Sequence, residues 1–440
     1  MSASLASLYD DHVRIQKSRT DHALEASGFD ALAIYAGRAP LKFLDDQPYP
    51  FTANPHFKLW TPQHDAADCW IVYRPGAKLQ LIFMQPEDYW HKPPALPADY
   101  WTRHFSIDVI RNAVQARAHI AAIDRCAFIG EWQEEFAAWS FGARNPQTLL
   151  DRLHYTRAVK TAYEVECMRR ASTIAARGHV AAEAAFRAGA SEYEIHLDFI
   201  RATGHTENEL PYSSIVALNQ NAAVLHYQHQ ERQSPPQRHS FLIDAGAAFG
   251  GYAADVTRTY AATRTDFTAL IDGMHALQLS LCAQVRSGVD YAQIHLDAHR
   301  QIAALLRAAD VIKVPADEAV ASGLSSVFFP HGVGHLLGLQ VHDVAGFMVN
   351  PDGSNKPRPP GHPNLRLTRC LEPGFAVTIE PGLYFIDALL DEARASAHGA
   401  AIDWKRVAQF RVCGGIRIED NVVCTDDAPV NLTREAFASL

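Results

Sequence analysis

The residues with the most chemistry in this chain stand where a core is expected. In FLIDAGAAFGGYAADVTRTY, Phe241–Tyr260, two apolar runs flank a small-residue turn, and each run carries an aspartate, Asp244 and Asp255. A turn centred on Phe249-Gly250 predicts a hairpin with Asp244 directly opposite Asp255 on one face, Cβ atoms about 5 Å apart. Two ionised carboxylates that close repel, and burying them unpaired is costly. Either the pair is a solvated feature of an edge hairpin, or one or two divalent cations sit between them.

Three further stretches favour the cations. FFPHGVGHLLGLQVHD, Phe328–Asp343, holds His331, His335 and His342 among glycines, which allow close backbone approach. It lacks the glutamate of H-E-x-x-H, so it is not that helical zinc motif. In FAVTIEPGLYF, alternation sets Phe375, Val377 and Ile379 on one face and Ala376, Thr378 and Glu380 on the other. In GGIRIEDNVV, Ile416 and Ile418 share one face, and Arg417 and Glu419 the opposite one. Asp244, Asp255, Glu380 and Glu419 supply negative charge that two divalent ions would balance, and His335 adds a neutral nitrogen. Oxygen-rich ligation with one imidazole suits Mn²⁺, Co²⁺ or Fe²⁺, with Zn²⁺ also open. Two such ions roughly 3.5–4 Å apart polarise a carbonyl and generate a bridging hydroxide.

The elements that must position these groups are legible in outline. TAYEVECMRRASTIAARGHVAAEAAFRAG reads as a long helix opened by a Thr161/Glu164 capping box, and Ser191/Glu194 opens the next. RAGASEYEIHLD (Arg187–Asp198) and RSGVDYAQIHLD (Arg286–Asp297) match at an offset of 99 residues, as a duplicated half of two helices followed by sheet would require. Before residue 150, ALAIYAG (Ala31–Gly37), CWIVY (Cys69–Tyr73), LQLIFM (Leu79–Met84) and AFIGE (Ala127–Glu131) read as strands. The expected division is 1–155 and 156–440.

At 440 residues and 48% hydrophobic, the chain affords a large core. A net charge of −9 with no basic stripe argues against a nucleic-acid partner, and no apolar run reaches a membrane span. The N-terminus does not read as a secretory signal. Seven scattered cysteines without a CxxC pair suggest reduced thiols and a cytoplasmic location.

Asp244-x10-Asp255, His335 in HGVGH, Glu380 in TIEPG and Glu419 in GGIRIED resemble, in order and spacing, the five metal ligands of the pita-bread metallopeptidases, the group of methionine aminopeptidase, aminopeptidase P and prolidase. Across essentially the whole chain, FLDDQPYPF, PYSSIVALNQNAAVLHY, LGLQVHDVAGFM and GLYFIDALL look like the bacterial Xaa-Pro dipeptidases, close to the organophosphorus acid anhydrolases. The resemblance implies an N-terminal creatinase-like α/β domain and a C-terminal α+β pita-bread domain, with a curved antiparallel sheet and pseudo-twofold symmetry. It implies two metals per subunit, most naturally Mn²⁺, a homodimer, and hydrolysis of Xaa-Pro dipeptides by a bridging hydroxide, with possible side activity on organophosphate triesters. Asp244 would chelate one metal, Asp255 and Glu419 would bridge, and His335 and Glu380 would complete the other. Glu380 would also shuttle the proton to the leaving nitrogen. His226 and His342 would steady substrate and oxyanion, Arg366 would grip the substrate carboxylate, Tyr212 and His331 would line the site, and Asp45 would reach it from the partner chain. The alternatives are an aminopeptidase P acting on longer peptides and a non-catalytic pita-bread binding protein.

Overall fold

The computed structural model describes residues 4–120 and 123–440. The chain forms two compact units. One holds the chain through Arg157 together with Thr161–Cys167 and Asn350–Ser354; the other holds Ala158–Lys160, Met168–Val349 and Asn355–Leu440.

The first unit opens with helix α1 (Leu5–Ser27), whose first turn is capped by Ser4 Oγ accepting from the Ser7 N–H. Its sheet contains β1 (Ala31–Tyr35), β2 (Trp70–Tyr73), β3 (Leu79–Met84), β4 (Phe105–Ile110), β5 (Cys126–Ile129) and β6 (Ala143–Arg144), in the order β4-β3-β2-β1-β5-β6. The four strands expected from short apolar runs are the central ones. β4 and β6 lie at the edges. β4 is polar and half-exposed along its middle, so its sequence carries no apolar run to announce it. Asp45 sits in a loop whose residues 41–50 are all exposed.

The second unit is built twice over. Helix α2 (Ala162–Ala188), in this unit from Met168 onward, and α3 (Glu192–Thr203) precede an antiparallel sheet of β7 (Ile215–Leu218), β8 (Ser240–Asp244) and β11 (Thr257–Ala261). Between β8 and β11 runs a short hairpin of β9 (Ala247–Phe249) and β10 (Tyr252–Ala254). Helices α4 (Asp266–Cys282) and α5 (Tyr291–Ala308) then precede β12 (Ala376–Ile379), β15 (Asp420–Val423) and β16 (Val430–Asn431), again antiparallel. β13 (Gly382–Tyr384) pairs with β14 (Gly415–Arg417). The echo at 99 residues falls on equivalent positions. Ser191 caps α3 through a full capping box, and Asp290 caps α5 by accepting from the Ala292 N–H. The capping box expected at Thr161 and Glu164 also forms, with N–H to oxygen distances of 2.8 and 3.4 Å.

The predicted faces hold. Phe375, Val377, Ile379, Ile416 and Ile418 are all buried in one apolar cluster with α4 and α5. The predicted hairpin register does not. The turn is Gly250-Gly251, and Asp244 lies opposite Thr257, not Asp255. Both glycines have positive φ, 58° and 87°, as a two-residue type I′ turn demands and as Phe249 would resist. The slip is one place in the turn and two in the partner. Parity is therefore kept: Asp255 stays on the face of Asp244 but moves to a diagonal position.

A buried carboxylate fixes the loop after β7. Glu192, 1% exposed at the start of α3, accepts from the Leu218 N–H, Asn221 Nδ2, Tyr227 OH and the Glu231 N–H at 2.7–2.8 Å. His226 rides on that loop. Among the described residues no helix is long and apolar enough to cross a membrane. Glu192→Ala removes the shared acceptor of four donors and is expected to cost on the order of 3 kcal/mol in urea denaturation. An unchanged midpoint would mean that the loop is held by other contacts.

Candidate metal centre

The two halves meet at β11. Thr257 pairs with Asp244 of β8 and, on its other side, bridges Glu419 at the head of β15. Its hydroxyl donates to Glu419 Oε2 at 2.7 Å, and its carbonyl accepts from the Glu419 N–H at 3.0 Å. The HGVGH segment runs along β12. The His335 N–H donates to Thr378 Oγ1, and the Thr378 N–H donates to the His335 carbonyl. Gly334 makes this approach possible: a Cβ there would lie 2.1 Å from the Thr378 carbonyl oxygen.

Asp244, Asp255, His331, His335, His342, Glu380 and Glu419 converge on one cavity of about 480 Å³, with His226 and Arg366 also on its wall. Asp255, His335 and Glu419 each offer a donor atom within 4.8 Å of the other two. His335 Nε2 lies 3.5 Å from Asp255 Oδ2 and 3.6 Å from Glu380 Oε1. Its Nδ1 donates to the Leu336 carbonyl, leaving Nε2 as the nitrogen facing the carboxylates. Tyr212 OH donates to Asp255 Oδ1 at 2.6 Å. His331 Nε2 meets Tyr384 OH at 2.8 Å. The His342 segment is fastened by a buried ion pair between Lys160 and Asp343, 2.7 Å. His226, His342 and Arg366 are exposed to the cavity. Asp45 belongs to the first unit and is not among the residues brought together here.

Sequence reasoning missed the cation already present. Arg417 NH2 donates to Asp244 Oδ2 at 2.7 Å, and NH1 donates to Tyr384 OH at 2.8 Å. The signal in the sequence is its alternation with Glu419, which puts both on one face.

Burial governs the protonation of these groups. It pushes Glu380 up to about 7, with His335 opposing, and it carries Glu419 well above the usual range with help from Asp255 and Glu380. It raises Asp244 despite Arg417. Asp255 goes the other way: burial would raise it, but its hydrogen bond to His335 and that ring's charge hold it low. His331 and His342 are pulled down to about 3 and about 4, chiefly by burial.

The family description "Metallopeptidase family M24" matches residues 166–426, and "Xaa-Pro dipeptidase, N-terminal domain" matches residues 7–155. This chain belongs to metallopeptidase family M24. The M24 chain is 51% identical to the Xaa-Pro dipeptidase of Xanthomonas axonopodis pv. citri over 438 residues, 99% of each sequence. It is 50% identical to that of Stenotrophomonas maltophilia over 434 residues, 98% of each. Its fold is that of the aminopeptidases P. The Escherichia coli enzyme with the inhibitor Pro-Leu matches at a TM-score of 0.72 and 22% identity, covering 96% of this chain and 97% of that one. Pseudomonas aeruginosa aminopeptidase PepP matches at 0.73 and 22%, covering 98% of both. Both expected architectures are present: a mixed α/β first unit, and a second unit of antiparallel sheets built twice.

Membership of M24 implies a divalent metal, and the residues fit one. Asp244 Oδ1 is buried without a hydrogen-bond partner. Glu380, Glu419 and Asp244 all hold protons more tightly than free carboxylates, first because they are buried and then because neighbouring carboxylates crowd them. A cation would satisfy the orphaned oxygen and displace those protons.

A stability measurement checks this crowding. In chelator-treated M24 protein the folded state holds the Glu380 proton to about pH 7, whereas its ordinary value is 4.5. That contribution to stability is complete below the ordinary value and is lost as pH rises through the folded one. Glu380→Gln should therefore gain stability relative to the parent between about pH 5 and about pH 8, by on the order of 3 kcal/mol in urea denaturation. A pH-independent difference would mean that Glu380 titrates normally.

Proposed function

We propose that this M24 peptidase is a dimetal Xaa-Pro dipeptidase. The observation that carries the reading is the near-complete span, at about half identity, of relatives that bear that name, together with five donors and a rim arginine on one cavity. Asp244, Asp255, His335, Glu380 and Glu419 would hold two divalent ions. Four carboxylates balance two dications, and oxygen-rich ligation favours Mn²⁺ over Co²⁺, Fe²⁺ or Zn²⁺. When bound, the ions supply Lewis acidity at the scissile carbonyl and a nucleophilic hydroxide at neutral pH.

The chain's own residues do the rest. Glu380, which follows β12 and faces the cavity, moves the proton to the leaving proline nitrogen. His342 is neutral at physiological pH, and with His226 it donates N–H to the oxyanion that develops on the carbonyl. Tyr212 holds Asp255 in orientation through its hydroxyl. His331, braced by Tyr384, lines the floor of the cavity. Arg366 grips the substrate's C-terminal carboxylate with its planar fork, and this clamp selects dipeptides by length. The proposed working form is a homodimer in which Asp45 of one chain reaches the substrate amino group in the other. A cytoplasmic location fits seven cysteines that form no disulfide, and organophosphate triesters are a proposed side substrate. The second reading, an aminopeptidase P, is favoured by the fold of the structural neighbours.

Assay of the Mn²⁺-loaded protein on Ala-Pro and Ala-Pro-Ala separates the two. Cleavage of the dipeptide is expected; cleavage of the tripeptide alone would sink the dipeptidase reading. Asp255→Asn should remove hydrolysis almost entirely. Arg366→Ala should lower kcat/KM for Ala-Pro by roughly 10–100-fold, mostly through KM, as loss of one charge-assisted hydrogen-bonded clamp implies. An unchanged KM would remove Arg366 from the carboxylate subsite.

A further inference from the structure

Behind the cavity wall lies a second group of potential ligands. His295 and His299 stand one turn apart on α5 and present the same face. His362 approaches them from the segment before Pro363. Each of the three offers one ring nitrogen, and these nitrogens all lie within 4.8 Å of one another. The rings meet edge to face at centroid distances of 4.6–4.7 Å, so they surround a point instead of stacking.

The hydrogen bonds leave the right atoms inward. His299 Nδ1 is engaged by Ser325 Oγ at 2.9 Å, which leaves Nε2 for the centre. His295 Nε2 and His362 Nδ1 stand 3.0 Å apart, close to the spacing of about 3.4 Å for two nitrogens at the corners of a tetrahedron with 2.0–2.1 Å bonds. Only one proton fits between them, and His295 Nδ1, also buried, has no hydrogen-bond partner. Burial pulls His295 down to about 2 and His299 to about 3, so both rings are neutral and carry lone pairs. Packing against Phe329 alone explains none of this polar convergence. The first copy of the Ile-His-Leu-Asp repeat makes the contrast: there His196 Nε2 meets Glu207 at 3.0 Å instead of other imidazoles.

We propose that His295, His299 and His362 form a third metal site, distinct from the carboxylate centre and suited to Zn²⁺, with water as the fourth ligand. Three imidazoles favour Zn²⁺, whereas the oxygen-rich centre favours harder ions, so the two sites sort metals by ligand chemistry. The segment that carries His362 also carries Arg358, Pro363, Asn364 and Arg366 on the cavity wall. An ion here clips that segment to α5 and holds the wall in place. Its effect on substrate binding rests on the role proposed for Arg366; the site itself does not.

The test keeps the two centres apart. Asp255→Asn/Glu419→Gln disables the carboxylate centre, and this protein is stripped and titrated with Zn²⁺ by calorimetry. One bound equivalent is expected. Adding His362→Gln should weaken it by more than about 100-fold, and adding Ser325→Ala instead should weaken it about 10-fold by releasing the His299 tautomer. No bound zinc in the double variant, or equal binding with His362→Gln, overturns the site. Anomalous diffraction at the zinc edge from zinc-loaded wild-type crystals decides without any substitution. A peak between the three rings is expected, and peaks confined to the carboxylates reject the proposal.

Discussion

Crowded negative charge in a buried cavity is the constraint on which the second unit depends. Asp244, Asp255, Glu380 and Glu419 approach one another against one arginine and one histidine. Carboxylates so placed either keep protons or take cations. Everything near them helps to fix which oxygen points where. Tyr212 and Thr257 donate to Asp255 and Glu419, Arg417 holds Asp244, and Thr378 locks the backbone that presents His335. The apolar faces of β12 and β14 supply the rigid backing: with Phe375, Val377, Ile379 and Ile416 in the core, Glu380 and Arg417 face the cavity.

Much of this was legible because period-2 alternation is a strong signal wherever one face is fully buried. Ile416 and Ile418 committed Glu419 to the polar side, and Val377 and Ile379 did the same for Glu380. The helix starts were equally clear, since capping boxes are local chemistry. The register of the Asp244 hairpin was not. It turns on which dipeptide occupies the bend, and Gly250-Gly251 competes with its neighbours by a difference that the flanking alanines do nothing to resolve. The edge strands β4 and β6 escaped for a related reason, because a half-exposed strand need not look apolar.

The histidines show the limit most plainly. His331, His335 and His342 stood out through their glycine-rich setting. His295 lay within a repeated motif, yet nothing in the linear pattern says that it turns toward His299 and His362 while its counterpart His196 turns to a glutamate. That choice belongs to tertiary packing: α5 faces the returning segment, and α3 does not.

Thr257 pairs with both halves, with Asp244 on one side and with Glu419, 162 positions along the chain, on the other. This seam has a consequence for how the protein comes into being. Neither half owns a complete ligand set, so no partially folded chain can offer the full donor arrangement. Contacts of such long sequence separation form late, because loop closure must be paid before they return anything. During synthesis the first five strands of the unit can assemble while Glu380 and Glu419 are still absent. The complete cluster of carboxylates therefore arrives only when the chain is nearly finished, and it reports on the closure of the whole unit.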